Sequence, residues 1–283
     1  MLREVLRYLL TPCSREARSL GYLYEAVALQ ARAARQKAHW SGHIENCHKI
    51  ISQAVLACAG FKSALVCGSG LLLEAPMEAL LARFGRVDCL DIVHPRGVGK
   101  RYPPDRVRFI EADITGMIQP IAAAVRAKKP FDAAQPPPVP AFGREYDLVI
   151  SCNLASQLAL LPLKNLAGLH VYERSQLDAF GRALVATHLR WLAALPGVAC
   201  LITDTDREYR RLGGEPEFET EDALFGLGLA KATAAWWWDI APAPELERNL
   251  SQRNRVAGIA VFGADNIVFG ESGEEPLAAK DPS

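Results

Sequence analysis

The residues best able to do chemistry fall at the ends of short apolar runs. Ser63-Ala-Leu-Val-Cys67 is followed by Gly68-Ser69-Gly70, where two bare glycines would let the backbone approach a nucleoside closely. Arg86-Val-Asp-Cys-Leu-Asp91 ends on a carboxylate 23 positions past Gly68 (91 − 68), the interval at which an acid accepts hydrogen bonds from both hydroxyls of a ribose. Val107-Arg-Phe-Ile110 leads into Glu111-Ala-Asp113-Ile114; there Asp113 would accept from an adenine amino group while Ile114 packs on the ring. Each feature has an ordinary alternative. A GxG is also a plain strand-to-helix turn, and an acid after a strand is also a solvated residue or a helix cap. The three together, in order on successive runs, point to an adenosine.

A fourth run, Tyr146-Asp-Leu-Val-Ile-Ser151, opens onto Cys152-Asn153-Leu154. Asn153 would use its amide oxygen to accept from an attacking amine or from an ammonium, as a neutral group that costs less to bury than a carboxylate; the alternative is a cap for a helix over residues 154–161. Gln157, one helical turn on, would face the same side. His43, His94, Asp204 and Asp206 are the candidate bases, against the plainer expectation of solvated or structural side chains. Tyr22, Tyr24, Trp40 and His43 sit in the N-terminal segment, where aromatic faces would either shield a site from water or fasten helices to a core. Trp236-Trp237-Trp238 on a strand alternate faces, so Trp237 points away from its neighbours.

These residues must be positioned by helices and strands, and the pattern of apolar residues says which. Residues 14–59 are rich in Ala, Leu, Arg and Gln and lack Pro, with apolar positions at helical spacing, so helices precede any strand. From Gly60 onward short strand-like runs alternate with helical stretches: residues 77–84, 118–127 and 177–195 are helical, and 198–202 and 255–262 are strand-like. Such alternation over some two hundred residues predicts an α/β fold, a mostly parallel sheet covered on both faces. Residues 130–142, with four prolines in Pro136-Pro-Pro-Val-Pro140, cannot be helix or interior strand and are expected as an exposed extended loop. The expected division is an N-terminal helical cap over residues 1–60, a nucleoside-binding domain over 61–270 and a disordered tail over 271–283.

Composition narrows the function. Of 283 residues, 50% are hydrophobic, and Lys plus Arg balance Asp plus Glu at 32 each; no bulk attraction draws this chain to nucleic acid or to an anionic membrane. Seven cysteines lie scattered without a CxxC pair or a His partner at ligand spacing, which predicts reduced thiols of a cytoplasmic protein and no metal. Arg3 and Arg7 spoil residues 1–10 as a signal peptide, and no stretch approaches 18 apolar residues.

The set Gly68/Gly70, Asp91 and Asp113 resembles the class I S-adenosylmethionine-dependent methyltransferases, over roughly residues 60–269. The resemblance implies a Rossmann-like, mostly parallel seven-stranded sheet whose last strand is antiparallel, with residues 236–240 and 255–262 forming the final pair that distinguishes this family from ordinary dinucleotide folds. It implies S-adenosylmethionine as cofactor. Gly68, Ser69 and Gly70 would lie against the methionine part and ribose, Asp91 and Ile92 would meet the ribose side, Asp113 and Ile114 the adenine, and Asn153 the transferred group. Tyr22, Trp40 and Gln157 would meet the substrate, with His43 and Asp204 as bases. Two positions depart from the pattern: Val66 stands where the family has an acid before its first glycine, and Leu72 where it has a third glycine. Glu74 is then the candidate for the methionine amino group.

Methylation of a small molecule is the expected activity. A homodimer is left open, and the absence of an Asn/Asp-Pro-Pro-aromatic motif at Ser151-Cys-Asn-Leu154 argues further against nucleic acid as substrate. The missing acid at Val66 leaves room for an enzyme that breaks another carbon–sulfur bond, by aminocarboxypropyl transfer or closure to azetidine-2-carboxylate, and releases methylthioadenosine. A cofactor-binding module without catalysis is a third reading, and an NAD-linked oxidoreductase a fourth that would want a fuller GxGxxG.

Overall fold

Buried parallel strands read as unbroken apolar runs because both faces are covered, and β1 (Ser63–Cys67) and β4 (Leu148–Cys152) are buried at every position. The structure, a computed structural model, describes residues 2–211, 213 and 217–269; the tail expected over 271–283 lies outside them. Four helices come first, α1 (Leu2–Leu10), α2 (Arg15–Ser19), α3 (Tyr22–Arg35) and α4 (Lys37–Ala57). After β1 the order is α5 (Met77–Arg83), β2 (Arg86–Asp91), β3 (Val107–Glu111), α6 (Ile118–Ala127), β4, α7 (Leu160–Ala167), α8 (Arg174–Ala193) and β5 (Val198–Arg211). The described residues end in β6 (Glu217–Asp222), β7 (Leu227–Leu229), β8 (Ala234–Ala241), β9 (Leu250–Ile259) and β10 (Ile267–Phe269).

The main sheet runs β3-β2-β1-β4-β5-β9-β8, with β6 paired to the far half of β5. Strands β1 to β5 are parallel; β9 is antiparallel to both β5 and β8. The sheet therefore has eight strands where seven were expected. The reason is the length of β5: residues 198–202 were expected as its whole, yet alternation of Thr203, Thr205, Arg207 and Tyr209 carries it on to Arg211, and the extension pairs with β6 and β9. Asp204 and Asp206, expected after this strand, lie inside it. A separate pair, β7 with β10, lies off the main sheet.

Alternate residues of the strands feed two layers. Ala64, Val66, Cys89 and Ile150 pack with Ile51, Ala54 and Leu80 of α4 and α5, whereas Leu65, Leu90 and Val149 pack with Val185, Leu189 and Leu192 of α8. Capping fixes where helices start: Glu173 and Gln176 form a reciprocal box at the head of α8, and Asp113 accepts the Ile118 N–H at the head of α6. Of the tryptophans on β8, Trp237 is 41% exposed beneath the guanidinium of Arg253, while Trp238 is 3% exposed and belongs to the core. The proline loop is not uniformly exposed: Pro137 is buried, and Pro138 packs over Gly116. No described helix is long and apolar enough to cross a membrane.

Helix α4 is seated on the sheet through a glycine. A Cβ built at Gly258 of β9 would stand 2.7 Å from Cγ1 of Ile50 and 3.0 Å from the Trp236 ring, neither of which can swing away. Gly258→Ala should therefore cost about 1–3 kcal/mol, the usual penalty of overpacking, in urea unfolding. An unchanged midpoint would show that α4 does not rest there.

Candidate functional site

The turn after β1 is built from left-handed backbone. Gly68 and Gly70 have φ of 74° and 43°, conformations that glycine adopts at no steric cost. A Cβ at Gly68 would meet the Cys152 carbonyl oxygen at 2.7 Å and Leu154 Cβ at 3.0 Å, so only glycine lets the ends of β1 and β4 approach. The third turn residue is more telling. Leu72 has φ 58° and donates its N–H to the Ser69 carbonyl at 2.7 Å. The position thus keeps the backbone conformation of a glycine while carrying leucine, at a strain of about 1 kcal/mol, and its side chain is buried in the core with α4 and α5.

Asp91 closes this turn. Its Oδ2 accepts the Gly70 N–H at 2.7 Å, and its Oδ1 accepts the Ile92 N–H at 2.7 Å, with the Val93 N–H at 3.5 Å. Burial pushes this carboxyl up, and the N–H groups of Gly70 and Ile92 and the nearby His94 hold it back. Asp113 is more committed: Oδ1 accepts from both N–H and Oγ1 of Thr115, and Oδ2 from the Ile118 N–H. It is a turn and helix cap, with one acceptor position on Oδ2 left over. Ile114 is buried beside Leu158 and Leu90.

The N-terminal helices lie over these strand ends. Tyr22, Leu23 and Val27 of the α3 region cluster with Ile92 and Val93, and Leu20 packs on α6. Burial raises the Tyr22 hydroxyl, with the Asp113 charge adding to the effect. Trp40 is placed elsewhere. It is 1% exposed, donates its Nε1–H to the Ile240 carbonyl at 3.2 Å, and stands edge-on to Trp238.

His43 and Asn153 are brought together. Asn153 has φ 49°, a value asparagine tolerates, and donates its backbone N–H to Ile202 across the β4–β5 junction; its side-chain amide lies 3.0 Å from His43 Nε2. On the other side Trp236 donates its Nε1–H to His43 Nδ1 at 3.1 Å. The amide atom facing Nε2 is Nδ2; since indole is a donor only, a neutral imidazole carries its proton on Nε2, and the pair forms a hydrogen bond with the Asn153 amide turned so that its oxygen faces that proton. His43 also stacks on Trp238 at 3.8 Å, and Glu74 Oε1 approaches Nε2 to 3.9 Å. Burial pushes His43 down to about 3 and raises the Glu74 carboxyl.

Two further buried polar pairs stand nearby. Ser156 donates from Oγ to Asp204 Oδ2 at 3.1 Å, and Arg207 donates to the Ser156 carbonyl at 2.6 Å. Asp204 is 2% exposed, and burial pushes it up to about 6. Ser151 and His188 are hydrogen-bonded at 2.8 Å, with His188 pushed down to about 4 by burial.

Several expected placements change. Asn153 does not cap a helix over 154–161: residues 155–157 form one 3₁₀ turn and α7 starts at Leu160. Gln157 is exposed while Asn153 is buried, because the interval between them is not α-helical, and Ser156 takes the inward place. His94 donates from Nε2 to the Ile110 carbonyl at 3.1 Å and stands edge-on to Phe109, so that nitrogen is committed to holding the chain. The roles of Trp236, Ser156, Arg207 and His188 carried no sequence signal, since partners such as His43 and Trp236 are 193 positions apart.

The first five strands keep the dinucleotide-fold order, and reversed β9 enters between β5 and β8, which makes the antiparallel final strands that the resemblance implied. No protein-family model and no curated protein matches the sequence. Among solved structures, the chain is similar to the 1,6-didemethyltoxoflavin-N1-methyltransferase of Burkholderia thailandensis, at 12% identity over 83% of this chain and 89% of that one, with a TM-score of 0.30. It is also similar to the N-methyltransferase NodS of Bradyrhizobium japonicum WM9, at 12% identity over 76% and 94%, TM-score 0.33. A third is a SAM-dependent methyltransferase of Leishmania major, at 12% identity over 90% and 81%, TM-score 0.33.

The buried imidazoles make stability depend on pH. Unfolded histidines take a proton near pH 6.5, whereas His43 and His188 in the fold take theirs at about 3 and about 4. Stability is then full above about pH 6.5 and declines toward pH 4, by up to about 1.4 kcal/mol per pH unit for each histidine. Asp204, raised in the fold, has the opposite sign and offsets part of the decline. Urea unfolding should show this fall, and Asp204→Asn should steepen it; a flat profile would mean that the imidazoles are charged inside the protein.

Proposed function

We propose that this chain binds S-adenosylmethionine in the crevice at the carboxyl ends of β1 to β4 and transfers its methyl group to a small molecule. The observation that carries the reading is Asp91. Its Oδ2 is tied to the glycine turn by the Gly70 N–H and its Oδ1 to the following Ile92 N–H, one short backbone hydrogen bond each, and a carboxylate has about four acceptor positions. Capacity for the two hydroxyls of a ribose therefore remains, on a group whose direction is already set. Two buried polar atoms near this turn, Ser69 Oγ and the second polar atom of the Asn153 amide, have no partner among the described residues, as expected of groups that face a polar ligand.

The cofactor's sulfonium supplies an activated methyl group with a good leaving group, so the protein's part is alignment and shielding. Gly68 and Gly70 leave the backbone open to the methionine part and ribose. Asp91 and Ile92 flank the ribose, and Ile114 with the remaining acceptor of Asp113 takes the adenine. Asn153 presents its amide at the end of β4, toward where the methyl group would be transferred, held in one orientation by its hydrogen bond with His43 Nε2. His43 and Asp204 are buried beneath the site and act through Asn153 and Ser156, as positioning groups. With α1 to α3 lying over the crevice, Tyr22 included, water is excluded and the acceptor must be small enough to fit beneath them.

Incubation with S-adenosylmethionine and a metabolite extract, followed by mass spectrometry, should yield S-adenosylhomocysteine and one extract component heavier by a methyl group. Methylthioadenosine in its place would replace methyl transfer by cleavage of another carbon–sulfur bond. Asp91→Ala should weaken S-adenosylhomocysteine binding by about 1.5–3 kcal/mol, the range for hydrogen bonds to a charged group, in titration calorimetry. Equal affinity in variant and parent would remove Asp91 from the site and the reading with it.

A further inference from the structure

A second opening stands behind the glycine turn. Helices α3 and α4 form one wall, and the segments around Leu71 to Leu73 and Arg96 to Arg101 form the other, flanking a solvent-open cavity of about 470 Å³. That volume lies within the range that holds a small organic molecule. Neither Gly68, Asp91, Asp113 nor Asn153 lines it, so the cavity is distinct from the proposed cofactor crevice.

Its lining sorts by chemistry. Trp40, Ile44, Leu71, Leu73 and Val98 supply an apolar interior, while Lys37, Arg96 and Arg101 supply three positive charges and no lining residue is acidic. In a chain whose charges otherwise balance at 32 each, three cations around one cavity without a carboxylate is a local excess. Arg101 is anchored by donation from its guanidinium to the Leu71 carbonyl at 2.9 Å. Lys37 and Arg96 are exposed, and neither forms an ion pair among the described residues. Leaving such charges unpaired around an apolar hollow suits a ligand that brings the counter-charge on an apolar body.

We propose that this cavity binds a small acidic molecule, an apolar body carrying one phosphate or carboxylate group, with the body against Ile44, Leu71 and Leu73 and the anion between Lys37, Arg96 and Arg101. The site does not depend on the identity of the cofactor, and its occupancy is measured without one.

Titration calorimetry of the full chain with 1-naphthyl phosphate, 1-naphthoate and uncharged 1-naphthol tests this. At least one of the two anions should bind, at least tenfold tighter than naphthol, with the tighter anion naming the head group. The double variant Lys37→Ala/Arg96→Ala, whose side chains are exposed, should melt as the parent does and lose at least tenfold in affinity for that anion. The proposal is overturned if neither anion binds, if naphthol binds as well as the anions, or if the folded double variant keeps the parent's affinity.

Discussion

There is no room for a side chain at residue 68. The ends of β1 and β4 come so close that a Cβ there would press on the Cys152 carbonyl and on Leu154. The same closeness brings β2 in on the other side, where both the Gly68 and Ser69 N–H groups donate to the Leu90 carbonyl. β1 has neighbours on both sides and the connections leave it in opposite directions, so its carboxyl end is the switch point where α/β sheets open a crevice. Everything proposed for the site stands around this one bare turn: Asp91 locks it from β2, Asn153 leaves β4 beside it, and the left-handed Leu72 carries it on toward α5.

The turn also shows what takes the place of the two family residues that this sequence lacks. Leu72 accepts a backbone conformation that costs it about 1 kcal/mol, and its buried side chain returns more than that through burial in the core with α4 and α5, at about 1.5–3 kcal/mol for a leucine. Val66, in place of an acid, is likewise buried against α4 and α5. Both departures exchange a polar or bare position for apolar packing, and both lie on the same face of the sheet. On that face Glu74 comes within reach of His43.

Burial sets the electrostatic character of the site. His43 is neutral because water cannot reach it, and neutrality is what makes it directional: it accepts a hydrogen bond from Trp236 and donates one to Asn153. A charged imidazolium would offer two donors and could not accept from the indole. Asp204 is displaced in the opposite sense by the same exclusion of water. These buried groups hold other side chains in place, and the groups proposed to meet a ligand are backbone amides, Asp91 and Asn153.

By itself the sequence determined the layers, the alternation of helices with the first five strands and where the first four of those strands end, because apolar periodicity and glycine placement are local properties. Gly68, Gly70, Asp91 and Asp113 stood out for that reason, each lying at or within three residues of the end of a strand-like run. Tertiary structure alone decided what those residues do with their hydrogen bonds, and it turned Asp113 into a cap, His94 into a strut and Gln157 outward. It also joined His43 to Trp236 and Asn153 from three distant parts of the chain, and extended β5 past the point where its apolar run stops. Periodicity shows which side of an element faces inward. It does not show which other element waits there, because that partner is chosen by packing of the whole chain.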